Sequence, residues 1–290
     1  MPSYGTHAIQ GGMIFSEIDK KTEIKENCFK AFCIGPDALI ATNSTVFNLQ
    51  HRYNTRAFFI TLITTIKENK LYDNGEAMAF LYGQLAHFVL DVITHPLIYY
   101  MTAGLPKEHI LNPHALLENY IDDFLRNKYQ LGAETCYHKI MVADFKTWHA
   151  INEVYKNVYN ARFLGLKYSG GIILTKLYDI VLRRNGILDP LTNAISLGDI
   201  HYHDDFELAR PYLNLEKDTW YNPETGEKST DSFDDLFKEA CAVALELIHD
   251  VNEYIYCDQP LKNRLILDDI SYNTGLPCDR GQTNQFVKRY

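Results

Sequence analysis

The chain has 290 residues, of which 46% are hydrophobic and 22% are charged. This composition is typical of a soluble globular protein with a sizeable core. The formal net charge of -9 excludes a basic face for duplex nucleic acid or for an anionic membrane surface. The N-terminal stretch lacks the basic and apolar segments of a secretory signal, so we expect a cytoplasmic protein with reduced cysteines.

Apolar residues recur at helical spacing along most of the chain, and no convincing strand pattern or linker interrupts them. The sequence therefore predicts an all-α fold, a multi-helix arrangement in a single domain spanning residues 1–290. The predicted helices cover residues 4–18, 23–33, 55–69, 76–95, 114–128, 148–162, 171–184 and 233–254.

Local breakers set the expected limits of these helices. Gly11 and Gly12 are expected to make the first helix irregular, and Pro96 is expected to stop or kink the helix at 76–95. His51 falls in a polar segment interpreted as a loop. About the last eighteen residues are polar and rich in turn formers, so we expect them to be poorly ordered.

The run from Tyr82 to Pro96 is apolar except for three titratable residues, His87, Asp91 and His95. Because they are spaced four apart, they lie on one face of a helix. Burying such groups costs roughly several kcal/mol unless a partner compensates, and a metal cation suits this set of ligands. The alternative is a pair of hydrogen-bonded core histidines with Asp91 bound to a distant Lys or Arg.

Further ligand-type residues flank this helix. His114, Glu118 and Asp122 recur every four positions and form a second polar stripe on a predicted helix. Asp37 follows a Gly-Pro turn, where it is either a ligand or a helix N-cap. The candidate metal ligands are His7, Asp37, His51, His87, Asp91, His95, His114 and Glu118.

The order and spacing of these residues resemble the zinc-dependent phospholipase C family, whose structural relatives include the zinc-dependent single-strand nucleases. That family has an early His, an Asp and a His separated by thirteen residues, an H-x3-D motif, a further His and an H-x3-E motif. Here these are His7, Asp37 and His51, His87 with Asp91, His95, and His114 with Glu118. Residues 219–233 are also similar to a segment of the family's non-secreted members.

The resemblance implies an all-helical domain that binds about two to three zinc ions through the segment 7–118. The first site would comprise Asp37, His51, His87 and Asp91. Asp91 would bridge to a second ion held by His7 and the chain's α-amino group, which belongs to Pro2 if Met1 is removed. The third site would comprise His95, His114 and Glu118.

The resemblance also implies a phosphodiester hydrolase of the phospholipase C type. A metal-activated water would attack a phospholipid or other phosphodiester substrate, with Asp37 and Asp91 as catalytic carboxylates. One alternative is a single-strand nuclease, which the acidic charge disfavours because such an enzyme needs a basic groove. Another is a helical protein that binds metal without turnover.

Two other features bear on partners. The apolar run 81–101 carries three titratable groups on one face, so we expect no transmembrane segment. A separate group, His201, His203, Asp204 and Asp205, is interpreted as a solvated loop, with pocket lining or binding of a further ion as the alternative.

Overall fold

The computed structural model describes residues 4–105, 113–129, 145–183 and 210–289. These residues form ten α-helices with one short two-stranded hairpin, which confirms the all-α prediction. The helices are α1 (Tyr4–Phe15), α2 (Glu26–Phe32), α3 (Ser44–Arg52), α4 (Thr55–Glu68), α5 (Gly75–Thr102), α6 (Pro113–Tyr129), α7 (Phe145–Tyr159), α8 (Leu164–Arg183), α9 (Phe233–Cys257) and α10 (Arg264–Leu267). Strands β1 (Trp220–Tyr221) and β2 (Lys228–Ser229) pair antiparallel.

Helix α5 lies at the centre of this fold. Its 28 residues extend roughly 42 Å at about 1.5 Å per residue. The Asn74 side chain caps its first turn by accepting the backbone N–H of Glu76 and of Ala77. Helices α2 and α9 pack along α5, and one continuous buried cluster runs from Ala8 to Tyr272. The helix with the central ligand motif is therefore enclosed by both ends of the chain.

By length and composition, α5 is also apolar enough to cross a bilayer. However, 89% of its most apolar stretch is buried against the rest of the protein. Its His87, Asp91 and His95 side chains are fully buried as well. This is the pattern of a core helix, because a lipid-exposed span would present an apolar surface instead.

Of the two effects expected of Pro96, a stop or a kink, the stop is wrong, because α5 continues to Thr102. Proline has no amide hydrogen and cannot donate to the carbonyl of Val92, four residues earlier. A C-terminal turn packs there: a Cβ on Gly275 would lie 3.0 Å from that carbonyl oxygen. Tertiary packing around the proline keeps the helix continuous.

Two N-terminal predictions also differ from the structure. Helix α1 runs through Gly11 without a break, and a Cβ at Gly11 would lie only 2.6 Å from the Cys33 Sγ. The glycine thus permits close packing of α1 against the end of α2. His51 lies in helix α3, not in a loop. Asn43 caps the start of that helix through its side chain, a feature the sequence analysis did not use.

The prediction of a poorly ordered C-terminal end is wrong for residues 273–277, which belong to a turn at residues 270–277. This segment forms a turn closed by the hydrogen bond from Ser271 N–H to Leu276 O, at 2.9 Å. Gly275 adopts φ +67° within it, in the left-handed region that favours glycine. Tyr272 in the same turn is fully buried, so the segment is part of the core.

Candidate metal centre

A short 3₁₀ turn, Gly35–Leu39, brings Asp37 to the ligands on α5. Gly35 has φ +59°, and a Cβ at this position would collide with the imidazole of His87. Pro36 suits the first position of a helical turn because its φ is already fixed. The Gly-Pro pair therefore lets the backbone pass next to His87 and places the Asp37 carboxylate beside it.

Side chains from this turn, from α3 and from α5 converge on one point. His51 Nε2 lies 3.1 Å from Asp37 Oδ1 and 3.5 Å from Asp91 Oδ2. His87 Nε2 lies 3.7 Å and 3.2 Å from the same two oxygens. Two ligands bound tetrahedrally at about 2.0–2.1 Å from one zinc ion are separated by roughly 3.3 Å. These spacings fit the outline of a tetrahedral zinc site.

Backbone carbonyls orient three of the histidines through the ring nitrogen that faces away from this point. The bonded pairs are His51 Nδ1 with Phe47 O (2.7 Å), His87 Nδ1 with Cys33 O (3.1 Å), and His95 Nδ1 with Tyr272 O (2.8 Å). A carbonyl oxygen only accepts, so each Nδ1 carries a proton and donates it. The Nε2 atoms are thereby directed towards a cation, as is usual for metal-binding histidines.

The two carboxylate oxygens of Asp91 face different partners. Oδ2 faces His51 and His87, whereas Oδ1 lies 3.4 Å from the Nε2 atom of His7 on α1. The rings of His7 and His87 are stacked, with centroids 3.9 Å apart. Two ligand groups share His87. The first consists of Asp37, His51 and His87, and the second consists of His7, His87 and Asp91. Asp91 contacts histidines of both groups.

Helices α5 and α6 form a third group from His95, His114 and Glu118, whose ligand atoms lie within 4.8 Å of one another. His114 Nε2 lies 2.8 Å from Glu118 Oε1. The Tyr99 ring packs against His95 and His114, with centroids 5.6 and 4.7 Å away. The His114 side chain is 23% exposed, so within the described residues the ligand cluster reaches solvent at this end.

Asp122, the third member of the polar stripe on α6, caps helix α1. Its carboxylate accepts the backbone N–H of Gly5 at 3.0 Å and of Thr6 at 2.7 Å, together with the Thr6 hydroxyl. The first N–H groups of a helix lack intrahelical partners, and the helix dipole favours a negative charge there. Helix α6 thus fixes the start of α1, close to His7.

Burial and neighbouring charge set the proton affinities of the first two groups. Burial lowers the pKa of His7 to about 4. Burial also lowers the pKa of His51, but the adjacent carboxylates of Asp37 and Asp91 outweigh it and raise that pKa to about 9. Burial raises the pKa of Asp91, whereas the histidines around it, His87 first, bring it well below its usual range. The Asp91 carboxylate is therefore ionised at neutral pH.

The third group has a different electrostatic state. Burial lowers the pKa of His95 to about 3 and brings the pKa of His114 well below its usual range. Burial also raises the pKa of Glu118 well above its usual range. Without a cation this group is close to neutral, and binding of a cation would release the Glu118 proton.

Several of these polar atoms lack an ordinary partner. The Nε2 atoms of His7, His87 and His95 and both oxygens of Asp91 are buried and make no hydrogen bond of suitable geometry with the described residues. Leaving such a group unsatisfied costs about 1–3 kcal/mol. All are zinc-type donors directed into a shared space, so the residues present fit bound zinc.

The sequence profile of the family described as zinc dependent phospholipase C matches residues 5–168 of the chain. This is more than half of its length. The chain belongs to the zinc-dependent phospholipase C family. No curated protein and no solved structure matches it. Membership in this zinc phospholipase C family supports zinc binding and a hydrolase of the phospholipase C type.

All the candidate ligands lie within residues 5–168, the segment that the family profile matches. The structure brings their side chains together in the three groups. Their roles as ligands stay predictions. The proposed α-amino ligand at residues 1–3 and the group at 201–205 lie outside the described residues. The sequence analysis missed Tyr272 and Phe47, because they contact the histidines through backbone oxygens that every residue carries.

Proposed function

We propose that this protein is a zinc-dependent phosphodiester hydrolase that cleaves phospholipids into diacylglycerol and a phosphorylated head group. The position of the Asp91 carboxylate carries the proposal. One of its oxygens faces His7, and the other faces His51 and His87. A carboxylate so placed suits a pair of cations, and paired cations are a common means of phosphodiester hydrolysis. Family membership supports the phospholipase C type.

In this proposal about two to three zinc ions bind per chain. The ligands are Asp37, His51, His87 and Asp91 for the first, His7 and Asp91 for the second, and His95, His114 and Glu118 for the third. When bound, zinc lowers the pKa of water towards neutrality and neutralises charge on a phosphate. Asp37 Oδ2 makes no hydrogen bond with the described residues, so it can accept one from the attacking water and orient it.

Lipid is favoured over a nucleic-acid strand by the surface beside the third group. Pro96 and Tyr99 of α5 lie in a shallow surface depression beside this group. Its other described lining residues are Asn222, Pro223, Glu224, Asn273, Thr274 and Asn284. Among the described residues this lining has one carboxylate and no Lys or Arg, whereas single-strand nucleases need a basic groove along the phosphate backbone. A single phosphodiester with a neutral or zwitterionic head group suits this surface better.

The test is hydrolysis of mixed phospholipid vesicles by protein purified without chelator, with zinc measured by elemental analysis. We expect about two to three zinc equivalents, release of diacylglycerol, loss of activity with a chelator and recovery with added zinc. Single-stranded DNA is assayed in parallel. Cleavage of DNA without cleavage of lipid would establish the nuclease alternative. Bound zinc without turnover of either substrate would make the centre structural, and less than one equivalent in the folded protein would contradict the metal centre.

A further inference from the structure

The turn at residues 270–277 reaches the metal centre from outside the family-matched segment, which ends at residue 168. Tyr272 is fully buried at the contact between this turn, α3 and α5. We infer that Tyr272 is a positioning residue that holds candidate ligands of two groups in place through its backbone and its ring. This inference rests on the zinc centre of the proposed function.

The first contact is with the backbone of His51. This residue lies in the last turn of α3, where the carbonyl oxygens have no intrahelical partner. His51 O accepts the Tyr272 N–H at 3.0 Å and the Ser271 hydroxyl at 3.2 Å. The two bonds satisfy the helix end and fix the backbone that carries the His51 imidazole.

The second contact is with ligand side chains on α3 and α5. Tyr272 O accepts the Nδ1–H of His95 at 2.8 Å. The Tyr272 ring lies against His51, His87 and Phe88, with centroids 5.1, 5.9 and 4.7 Å away. One residue therefore constrains ligands of the first group and of the third group together. Residues with this function elsewhere change metal affinity about 10–100-fold when removed.

The turn gives Tyr272 a fixed position. Ser271 N–H donates to Leu276 O, and Gly275 N–H donates to Ser271 O at 3.0 Å. Gly275 combines φ +67° with close packing on the Val92 carbonyl. A side chain at Gly275 would strain the backbone and press on α5, so this glycine provides a second means of moving Tyr272.

The experiment compares Tyr272→Ala, which removes the ring, with Tyr272→Phe, which keeps it. Zinc affinity is measured by competition with a chromogenic chelator, and ligand geometry by the visible spectrum of the cobalt-loaded protein. We expect about 10–100-fold weaker zinc binding and shifted cobalt bands for Tyr272→Ala, and values within about twofold of wild type for Tyr272→Phe. Tyr82→Ala is the matched control, because this buried tyrosine bonds Asn252 and has no hydrogen bond or ring contact with a candidate ligand among the described contacts.

Tyr82→Ala should lower the melting temperature without changing zinc affinity or the cobalt spectrum. Gly275→Ala, which displaces the backbone of the turn, is measured in the same way and is also expected to weaken zinc binding. If Tyr272→Ala does not fold, Tyr272→Leu is measured in its place. Wild-type zinc affinity and spectrum in the folded variants would overturn the positioning role while leaving the zinc centre intact. Absence of zinc from the wild-type protein would overturn the proposed function and this inference together.

Discussion

The ligand cluster has two parts that differ in their electrostatics. The inner ligands are His7, Asp37, His51, His87 and Asp91, and the outer ligands are His95, His114 and Glu118. The inner carboxylates keep a proton on His51 up to about pH 9, whereas burial leaves Glu118 protonated and His114 neutral. The inner part is also more completely buried. The inner part is therefore negatively charged before a cation binds, whereas the outer part becomes negatively charged only when a cation binds.

The difference suggests a division of tasks. The inner part is prepared for tight binding, because the Asp91 carboxylate is already ionised and backbone carbonyls orient His51 and His87. The outer part includes His114, whose side chain is 23% exposed, and it must lose the Glu118 proton to bind a cation. We therefore expect chelators to remove the outer ion first.

The largest expected effect follows Asp91→Asn, which keeps the shape of the side chain and removes its charge. Both oxygens of Asp91 face inner histidines, so we expect loss of inner zinc and a fall in phosphodiesterase rate of about 10³-fold, equivalent to roughly 4 kcal/mol. Elemental analysis and vesicle hydrolysis measure both. Glu153→Gln is the control, because Glu153 pairs only with Lys156 among the contacts described for it. Wild-type zinc content in Asp91→Asn would show that Asp91 does not bridge.

A smaller effect is expected from Gly35→Ala, which acts on the inner part through packing. The added methyl group would meet the His87 ring at a residue with φ +59°. We expect a loss of about 2–4 kcal/mol in the free energy of unfolding and weaker zinc binding. Gly281→Ala is a matched control, since it has φ +67° and nothing within 4 Å of the added Cβ.

Gly281→Ala should show only the backbone cost of about 1 kcal/mol, without a change in metal affinity. Denaturant unfolding and zinc competition separate the two variants. Equal effects in both variants would mean that Gly35 is needed only for its left-handed backbone conformation and not to leave room for the His87 ring.

A pH series on metal-free protein tests the charge arrangement of the inner part. The folded-state pKa of His51 is raised from 6.5 to about 9. Protonated His51 therefore makes its full contribution to the free energy of unfolding below about pH 6.5, and this contribution is lost as the pH rises to about 9. We expect the free energy of unfolding to fall across this window, by at most about 3 kcal/mol. The decrease should be smaller in His51→Ala than in the wild type, and a rise with pH in the metal-free wild type would contradict the inner charge arrangement.

Local spacing explains what the sequence could predict. The positions of His87, Asp91 and His95 on one helical face follow from 3.6 residues per turn, whatever the rest of the chain does. The helix containing Pro96 was predicted too short, because its continuation depends on packing against a turn 180 residues later in the chain. The two-residue strands β1 and β2 are too short to show an alternating pattern.

The sequence analysis predicted the site residues that act through their side chains and missed those that act through backbone atoms. The candidate ligands are recognisable by residue type and spacing. The orienting carbonyls of Phe47, Cys33 and Tyr272 have no such signature, since any residue supplies the same oxygen. Only the fold decides which carbonyl meets a histidine.

The smallest expected effect tests whether the inner and outer parts are coupled through Asp122, which lies on α6 and caps α1. Asp122→Ala removes the cap from α1 and should cost about 1 kcal/mol of stability. Because α1 carries His7 and α6 carries His114 and Glu118, we also expect zinc affinity to fall a few-fold. The control is Ser232→Ala, which removes the N-cap of α9. It should cost a similar free energy of unfolding and leave zinc affinity unchanged. Equal zinc affinities in the two variants would show that the inner and outer ligands are positioned independently of the α1 cap.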